Sequence, residues 1–357
     1  MAICLKEKRL MMLKAGEFIP AFSTNKRCKG DNTMKATARA HTNIALIKYW
    51  GKRDEELILP TNNSLSLTLD GFYTTTTVEF RNDLTNDIFY LDNQCISGIP
   101  YQRVTQFLDL IRQLAGKHIF AEVRSTNHVP TAAGFASSAS GFAALAAAGS
   151  KAIGLSLNDK ALSRLTRRGS GSACRSIYGG FAEWQKGEKK DGSDSFAVPI
   201  KPQDYWDIRV AAVVLHADEK KVSSRVGMKR TVDTSPFFKG WVDSIPQDLE
   251  QIKAGISERD FEKVGSVAEA NCLKMHATTL GANPPFTYWY DTTFTVMQHV
   301  QKLRDKKIPA YFTIDAGPNV KVLYLPENEA DIKRELESIP GVRDVILSKA
   351  GQGITYL

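Results

Sequence analysis

The stretch Pro130-Thr131-Ala132-Ala133-Gly134-Phe135-Ala136-Ser137-Ser138-Ala139-Ser140-Gly141 constrains this chain more than any other. A short β-like run, Ile119 to Val123, precedes it, and an Ala-rich helical run, Phe142 to Ala148, follows. In a strand–loop–helix of small residues the backbone can approach a ligand closely. The N–H groups at the helix start, helped by the helix dipole, favour an anion. The paired serines add hydroxyl donors. These features describe a phosphate cradle. An ordinary N-cap ahead of an Ala-rich helix accounts for the same twelve residues equally well. The frame is not a P-loop, since no lysine follows the glycine at the G-x-x-x-x-G-K-[ST] spacing.

With 357 residues the chain can bury one large core or two ordinary ones. No apolar run approaches the roughly 20 residues of a membrane span. Cysteines 4, 28, 95, 174 and 272 are scattered and form no C-x-x-C pair. That pattern fits reduced thiols and argues against a disulfide frame or zinc site. Residues 1–33 hold seven Lys/Arg against three Asp/Glu, half of the net charge of +8. The modest excess suits a pocket for small polyanions. No basic helix or RNA-binding signature accompanies it, so nucleic acid is not expected. Residues 1–33 read as a leader or disordered tail, with Met34 as the functional start. A chain beginning at Met34 should then keep full activity.

From Lys35 the sequence alternates and then turns apolar, a strand through about Ala45, and a polar–aromatic cluster follows from Lys48 to Lys52. Its two lysines, with Tyr49 and Trp50, suit either a phosphate clamp or snorkelling at a strand end. Ser64 to Leu69 alternates strictly, and Thr74 to Phe80 and Asp87 to Leu91 are β-rich. Residues 101–116 show helical spacing. Composition shifts at the polar run 186–195, which predicts domains at 34–205 and 206–357. The second half offers helices at 237–256, 258–277 and 286–306, then a hairpin from Ala310 to Leu325. Strands mixed with helices in two blocks give an α+β class.

Asp315 ends an apolar strand ahead of Gly-Pro-Asn, where a carboxylate can orient or deprotonate a hydroxyl. An Asx turn explains it as well. Arg175 lies in the small-residue run Gly169 to Ser176, where a guanidinium can grip a carboxylate, with Ser170 and Ser172 as further donors. Ser224 and Arg225, with Lys220 or Lys221, form a third anion-friendly group or a solvated basic loop. Histidines, cysteines and carboxylates show no metal-ligand spacing, and Mg²⁺ is expected only as a companion of a ligand's phosphates.

The cradle resembles the P-x-x-x-G-L-x-S-S-A loop of the GHMP small-molecule kinase superfamily, with Phe135 in place of leucine. Together with Ala40 to Lys52, Gly169 to Ser176 and Thr313 to Asn319, it resembles one family, the mevalonate diphosphate decarboxylases, in the bacterial Gram-positive form. The likeness runs over residues 34–357. It implies a two-domain GHMP fold, with an N-terminal βαβ domain carrying the phosphate loop and a ferredoxin-like C-terminal α/β sandwich. It implies ATP-dependent decarboxylation of mevalonate 5-diphosphate by a cytoplasmic homodimer that binds neither membrane nor nucleic acid. Asp315, Arg175 and Lys220 would be catalytic. Tyr49, Lys52, Ser170, Ser172, Arg175, Ser224 and Arg225 would hold the substrate, and Ala133, Gly134, Ala136, Ser137, Ser138 and Ser140 would hold Mg-ATP. Lys220 or Lys221 would keep Asp315 ionised. A kinase that stops at phosphorylation, and a noncatalytic nucleotide- or RNA-binding protein, are the neighbouring readings.

Overall fold

The computed structural model describes residues 34–128, 137–215 and 222–357. The first strand, β1 (Lys35–Ile47), starts with one face in solvent and ends with both faces covered, as its change from alternating to continuous apolar residues requires. A small hairpin follows, β2 (Lys52–Asp54) and β3 (Leu59–Pro60), and then the 18-residue β4 (Ser64–Arg81). Next come β5 (Ile88–Leu91), β6 (Gln94–Cys95), α1 (Gly98–Ala115) and β7 (Phe120–His128). Beyond the cradle lie α2 (Ser137–Ile153), α3 (Asp159–Gly169) and a 3₁₀ helix (Gly171–Ile177) where the sequence suggested a loop. Strands β8 (Phe181–Trp184) and β9 (Ala197–Lys201) complete the first half.

Apart from the β2–β3 hairpin, these strands make one sheet in the order β14-β1-β4-β7-β5-β6, with β8 attached along the start of β4 and β9 beside β8; β14 (Thr355–Tyr356) comes from the far end of the chain. Among the described residues only the β5–β7 pair is parallel. The sequence splits β4 in two at Asp70-Gly71, yet it runs through. The Asp70 carboxylate accepts the Ser348 hydroxyl at 2.8 Å and the Lys349 N–H at 3.0 Å. Glycine at 71 leaves room for this, since a Cβ there would lie 3.3 Å from Ser348 Oγ. The polar pair between the two β-rich runs is thus a docking point for another strand.

Helix α2 lies across β1 and β4, with Ala143, Ala144, Ala146, Ala147 and Ala148 all fully buried. A helix covered on every side must be apolar all round, and alanine lets it sit close to the sheet.

The second half runs β10 (Arg209–Leu215), α4 (Ser224–Thr234), α5 (Phe238–Glu258), α6 (Phe261–Leu280), α7 (Asp291–Asp305), β11 (Tyr311–Ile314), β12 (Val320–Tyr324), α8 (Glu329–Glu337) and β13 (Val342–Lys349). Its antiparallel sheet has the order β11-β12-β10-β13, the βαββαβ arrangement of ferredoxin-like units. One core joins Ile44, Leu46, Leu65 and Leu67 of the first sheet to Val210 and Val214 of the second and to Ile252 and Val264 of the helices between them. Residues Met34–Leu357 accordingly form one compact unit. Among the described residues no helix is long and apolar enough to cross a membrane.

Candidate active site

The end of β1 is the spine of the site. Thr42 donates its hydroxyl to Ser140 Oγ at the start of α2 (3.3 Å). Asn43 donates Nδ2–H to Ser176 Oγ (2.8 Å) and to the Ser172 carbonyl (3.1 Å). Its Oδ1 accepts from Arg175 Nη2 (3.1 Å) and Nε (3.3 Å). The Ala45 carbonyl accepts from Lys48 Nζ (3.0 Å) and Thr313 Oγ1 (3.3 Å), and Lys48 Nζ donates on to Asp315 Oδ1 (2.7 Å). One segment, 42–48, therefore touches all three of the other regions singled out by sequence.

Asp315 keeps 38 % of its side chain open. Burial on its other sides opposes ionisation, but Lys48 at 2.7 Å, Lys321 at 3.7 Å and the more distant Arg175 outweigh it. They hold the carboxyl well below the usual carboxylate range. Arg175 is fully enclosed, only 2 % exposed, and its partners are the neutral side chains of Asn43 and Ser64 (2.5 Å). Burial lowers its proton affinity, while Cys174, Asp315 and Tyr49 act the other way. A desolvated guanidinium without an ion-pair partner among the described residues is a strong site for a small anion.

Tyr49 packs on Trp184 with ring centroids 4.7 Å apart, and its buried hydroxyl has no hydrogen-bond partner among the described residues. Burial pushes that phenol's pKa up, while Arg175 and Arg225 draw it down. Gly171 makes the packing possible, because a Cβ there would lie 2.9 Å from the Tyr49 oxygen. Ser170 and Ser172, both half-buried, flank this glycine. Lys52 Nζ pairs with Glu55 at 2.5 Å.

Arg225 opens onto a cavity of about 240 Å³ lined also by Arg103, Arg168, Glu56, Phe142 and Gly169. Arg103 donates to the Gly169 carbonyl at 3.3 Å and lies over the Phe142 ring. Burial lowers the pKa of Arg103 and Arg168, and Arg225 lowers that of Arg103 further. Among the described lining residues, three guanidiniums against one carboxylate leave the cavity an excess of positive charge.

Residues 40–197 match the family model described as the diphosphomevalonate decarboxylase-like N-terminal domain, and residues 210–353 match that of the mevalonate 5-diphosphate decarboxylase C-terminal domain. The chain belongs to the diphosphomevalonate decarboxylase family. The Bos taurus diphosphomevalonate decarboxylase is 39% identical over 83% of this chain and 78% of its own. The crystal structure of the Staphylococcus aureus enzyme superimposes with a TM-score of 0.87 at 48% identity, covering 90% of this chain and 98% of that one. The mevalonate diphosphate decarboxylase from Enterococcus faecalis gives 0.85 at 50% with the same coverage. A complex described as MDDEF with MVAPP, AMPPCP and magnesium gives 0.86 at 51%, again with that coverage.

For a diphosphomevalonate decarboxylase, the sequence-predicted residues fall into three groups. Asp315, Arg175 and Ser172 are tied to the segment 42–48, Tyr49 follows it directly, Ser170 flanks Gly171 under Tyr49, and Arg225 reaches the same region from the start of α4, where Ser224 is half-buried. Ala133, Gly134, Ala136, Lys220 and Lys221, the tail 1–33 and the side chain of Ser137 lie outside the described residues. Ser138 is half-buried in the first turn of α2. Ser140 is turned to the sheet, sharing a hydrogen bond with Thr74 (2.8 Å) as well as Thr42. Among the described residues, the lysines beside Asp315 are Lys48 and Lys321. Lys321 carried no sequence signal, being one lysine in a strand. Lys48 belonged to a noted cluster without its role being evident. Arg103 and Arg168 were hidden in helices whose apolar spacing explained them.

Proposed function

We propose that the site around Asp315 converts mevalonate 5-diphosphate into isopentenyl diphosphate, with ADP, phosphate and CO2 released. The observation that carries this reading is the group Lys48–Asp315–Lys321 set within the field of the buried Arg175. When bound, ATP supplies the phosphoryl group that turns the substrate's 3-hydroxyl into a leaving group, with Mg²⁺ on its phosphates. The first turn of α2 suits it: the helix has 17 residues, no acidic side chain in that turn, and Ser138 partly open.

Asp315 holds the 3-hydroxyl as a hydrogen-bond acceptor. A carboxylate kept this acidic is a weak base, so it orients the oxygen and takes the proton only as the hydroxyl becomes acidic during transfer. Arg175 grips the substrate carboxylate. As the 3-phosphate leaves with the C–O bonding pair, the electrons of the bond to the carboxyl carbon become the alkene bond and CO2 departs. The buried guanidinium keeps the carboxylate charged and oriented until that point. Tyr49, Ser170 and Ser172 bracket the substrate's middle. Lys52, Ser224, Arg225, Arg103 and Arg168 take its diphosphate, and Lys52 must leave Glu55 to do so. We further propose a cytoplasmic homodimer.

A kinase that stops at phosphorylation has no use for a buried guanidinium beside the acceptor carboxylate. Measuring CO2 and ADP together tests the choice: equal amounts are expected, and ADP without CO2 would overturn the decarboxylase reading. Arg175→Lys keeps the charge but loses the fork. It should lower kcat by about 10²-fold in a coupled ADP assay, in the range of losing a preorganised donor.

A further inference from the structure

Strand β11, which delivers Asp315, is an edge strand of its sheet, with β12 on one side only. Its outward backbone groups need partners from elsewhere. Helix α6 supplies them through side chains. Phe312 N–H donates to Glu269 Oε2 at 3.0 Å, and Ile314 N–H donates to Cys272 Sγ at 3.1 Å. The Ile314 carbonyl accepts from His276 Nε2 at 3.1 Å and from the Cys272 thiol at 3.4 Å. Positions 269, 272 and 276 are spaced three and four apart, one face of a helix. His276 faces only a carbonyl through Nε2, so it is the Nε2–H tautomer. Burial drives its pKa down to about 3, so it stays neutral.

The adjoining residue on α6 holds the other half of the pair. Asn271 is fully buried, and its Oδ1 accepts the backbone N–H of Lys48 at 2.8 Å. Its Nδ2 donates to Asp248 Oδ2 of α5 at 2.7 Å, and Lys274 anchors Asp248 at 2.6 and 2.7 Å. From the far side, Asn62 Nδ2 donates to the Lys48 carbonyl at 2.8 Å. A single helix thus grips the backbone at Lys48 and the residue just before Asp315, the two groups joined by the 2.7 Å ion pair.

We infer that Asn271, Cys272 and His276 of α6 are positioning residues that set the Lys48–Asp315 geometry, with Asp248 holding Asn271 in place. None of them touches substrate. The inference rests on the proposed role of Asp315, and the two are tested apart. Asn271→Ala should lower kcat at least tenfold while KM for mevalonate 5-diphosphate stays within twofold, because the diphosphate-binding arginines are untouched. An unchanged kcat overturns the inference. Asn271→Asp sets two carboxylates side by side and should be as damaging, whereas Asn271→Asp combined with Asp248→Asn restores the hydrogen-bond pattern and should recover most of kcat. A swap no better than the single change overturns the inference, including where Asn271→Ala fails to fold. Asp315→Ala is measured alongside. A dead Asp315→Ala beside an intact Asn271→Ala sinks only the positioning role, and a live Asp315→Ala sinks the reading on which it depends.

Discussion

Asp315 is accessible yet strongly acidic, because its cations outweigh the burial around it. Two measurable consequences follow. Asp315→Asn keeps the shape but not the charge and should cut kcat by about 10³-fold or more, the scale of a lost electrostatic partner in a dry site. In the native enzyme, kcat should show no fall due to this group as pH drops toward the ordinary carboxylate value of about 4. In Lys48→Met the balance tips toward burial, the Asp315 pKa rises, and the acid limb of the kcat–pH profile should move up. An acid limb that stays in place would show that Lys48 does not tune Asp315. The depressed pKa also means that the ion pair adds stability above the unfolded carboxylate pKa and loses it as pH falls through the folded one. Asp315 was legible in the sequence because Gly-Pro-Asn after an apolar strand marks a strand mouth. Asn271 was not, because an asparagine within an apolar helix period carries no sign of the distant lysine N–H it serves, 223 positions earlier.

At the scale of elements, the small-residue runs are close-packing devices as much as ligand loops. Gly169 ends α3 against the Phe142 ring of α2, where any Cβ would overlap the ring, and both residues line the arginine cavity. Gly169→Ala should cost about 1–3 kcal/mol by overpacking, read as a lower Tm, and should raise KM for the diphosphate substrate. An unchanged KM would separate the cavity from substrate binding. Helix α3 has its own start signal: Asn158 Oδ1 accepts the Ala161 N–H at 2.9 Å. Asn158→Ala should therefore cost about 1 kcal/mol, checked by denaturant unfolding. Many elements were legible in this way, since alternation gave the start of β4 and helical spacing gave α1 and α5 to α7. The continuity of β4 through Asp70-Gly71 was not, because the partner that straightens it, Ser348, sits 278 positions away. The 3₁₀ helix at Gly171–Ile177 was hidden because its stabilising contact, Asn43 to the Ser172 carbonyl, spans 129 positions.

At the scale of the molecule, two sheets share one core, so neither half can lose its packing alone. Calorimetry should show a single cooperative transition for residues 34–357, with matching van't Hoff and calorimetric enthalpies. Two resolved transitions would mean that the shared core does not couple the halves. The placement of β14 has a consequence for assembly. Ala38 and Arg39 of β1 pair with Tyr356 and Thr355, so the opening strand of the sheet takes its outer neighbour from a segment remote in sequence. Until that segment arrives, the edge of β1 stays bare and open to unwanted pairing with other chains. The guard on this edge is thus a long-range contact, slow to close and missing from any partly folded state.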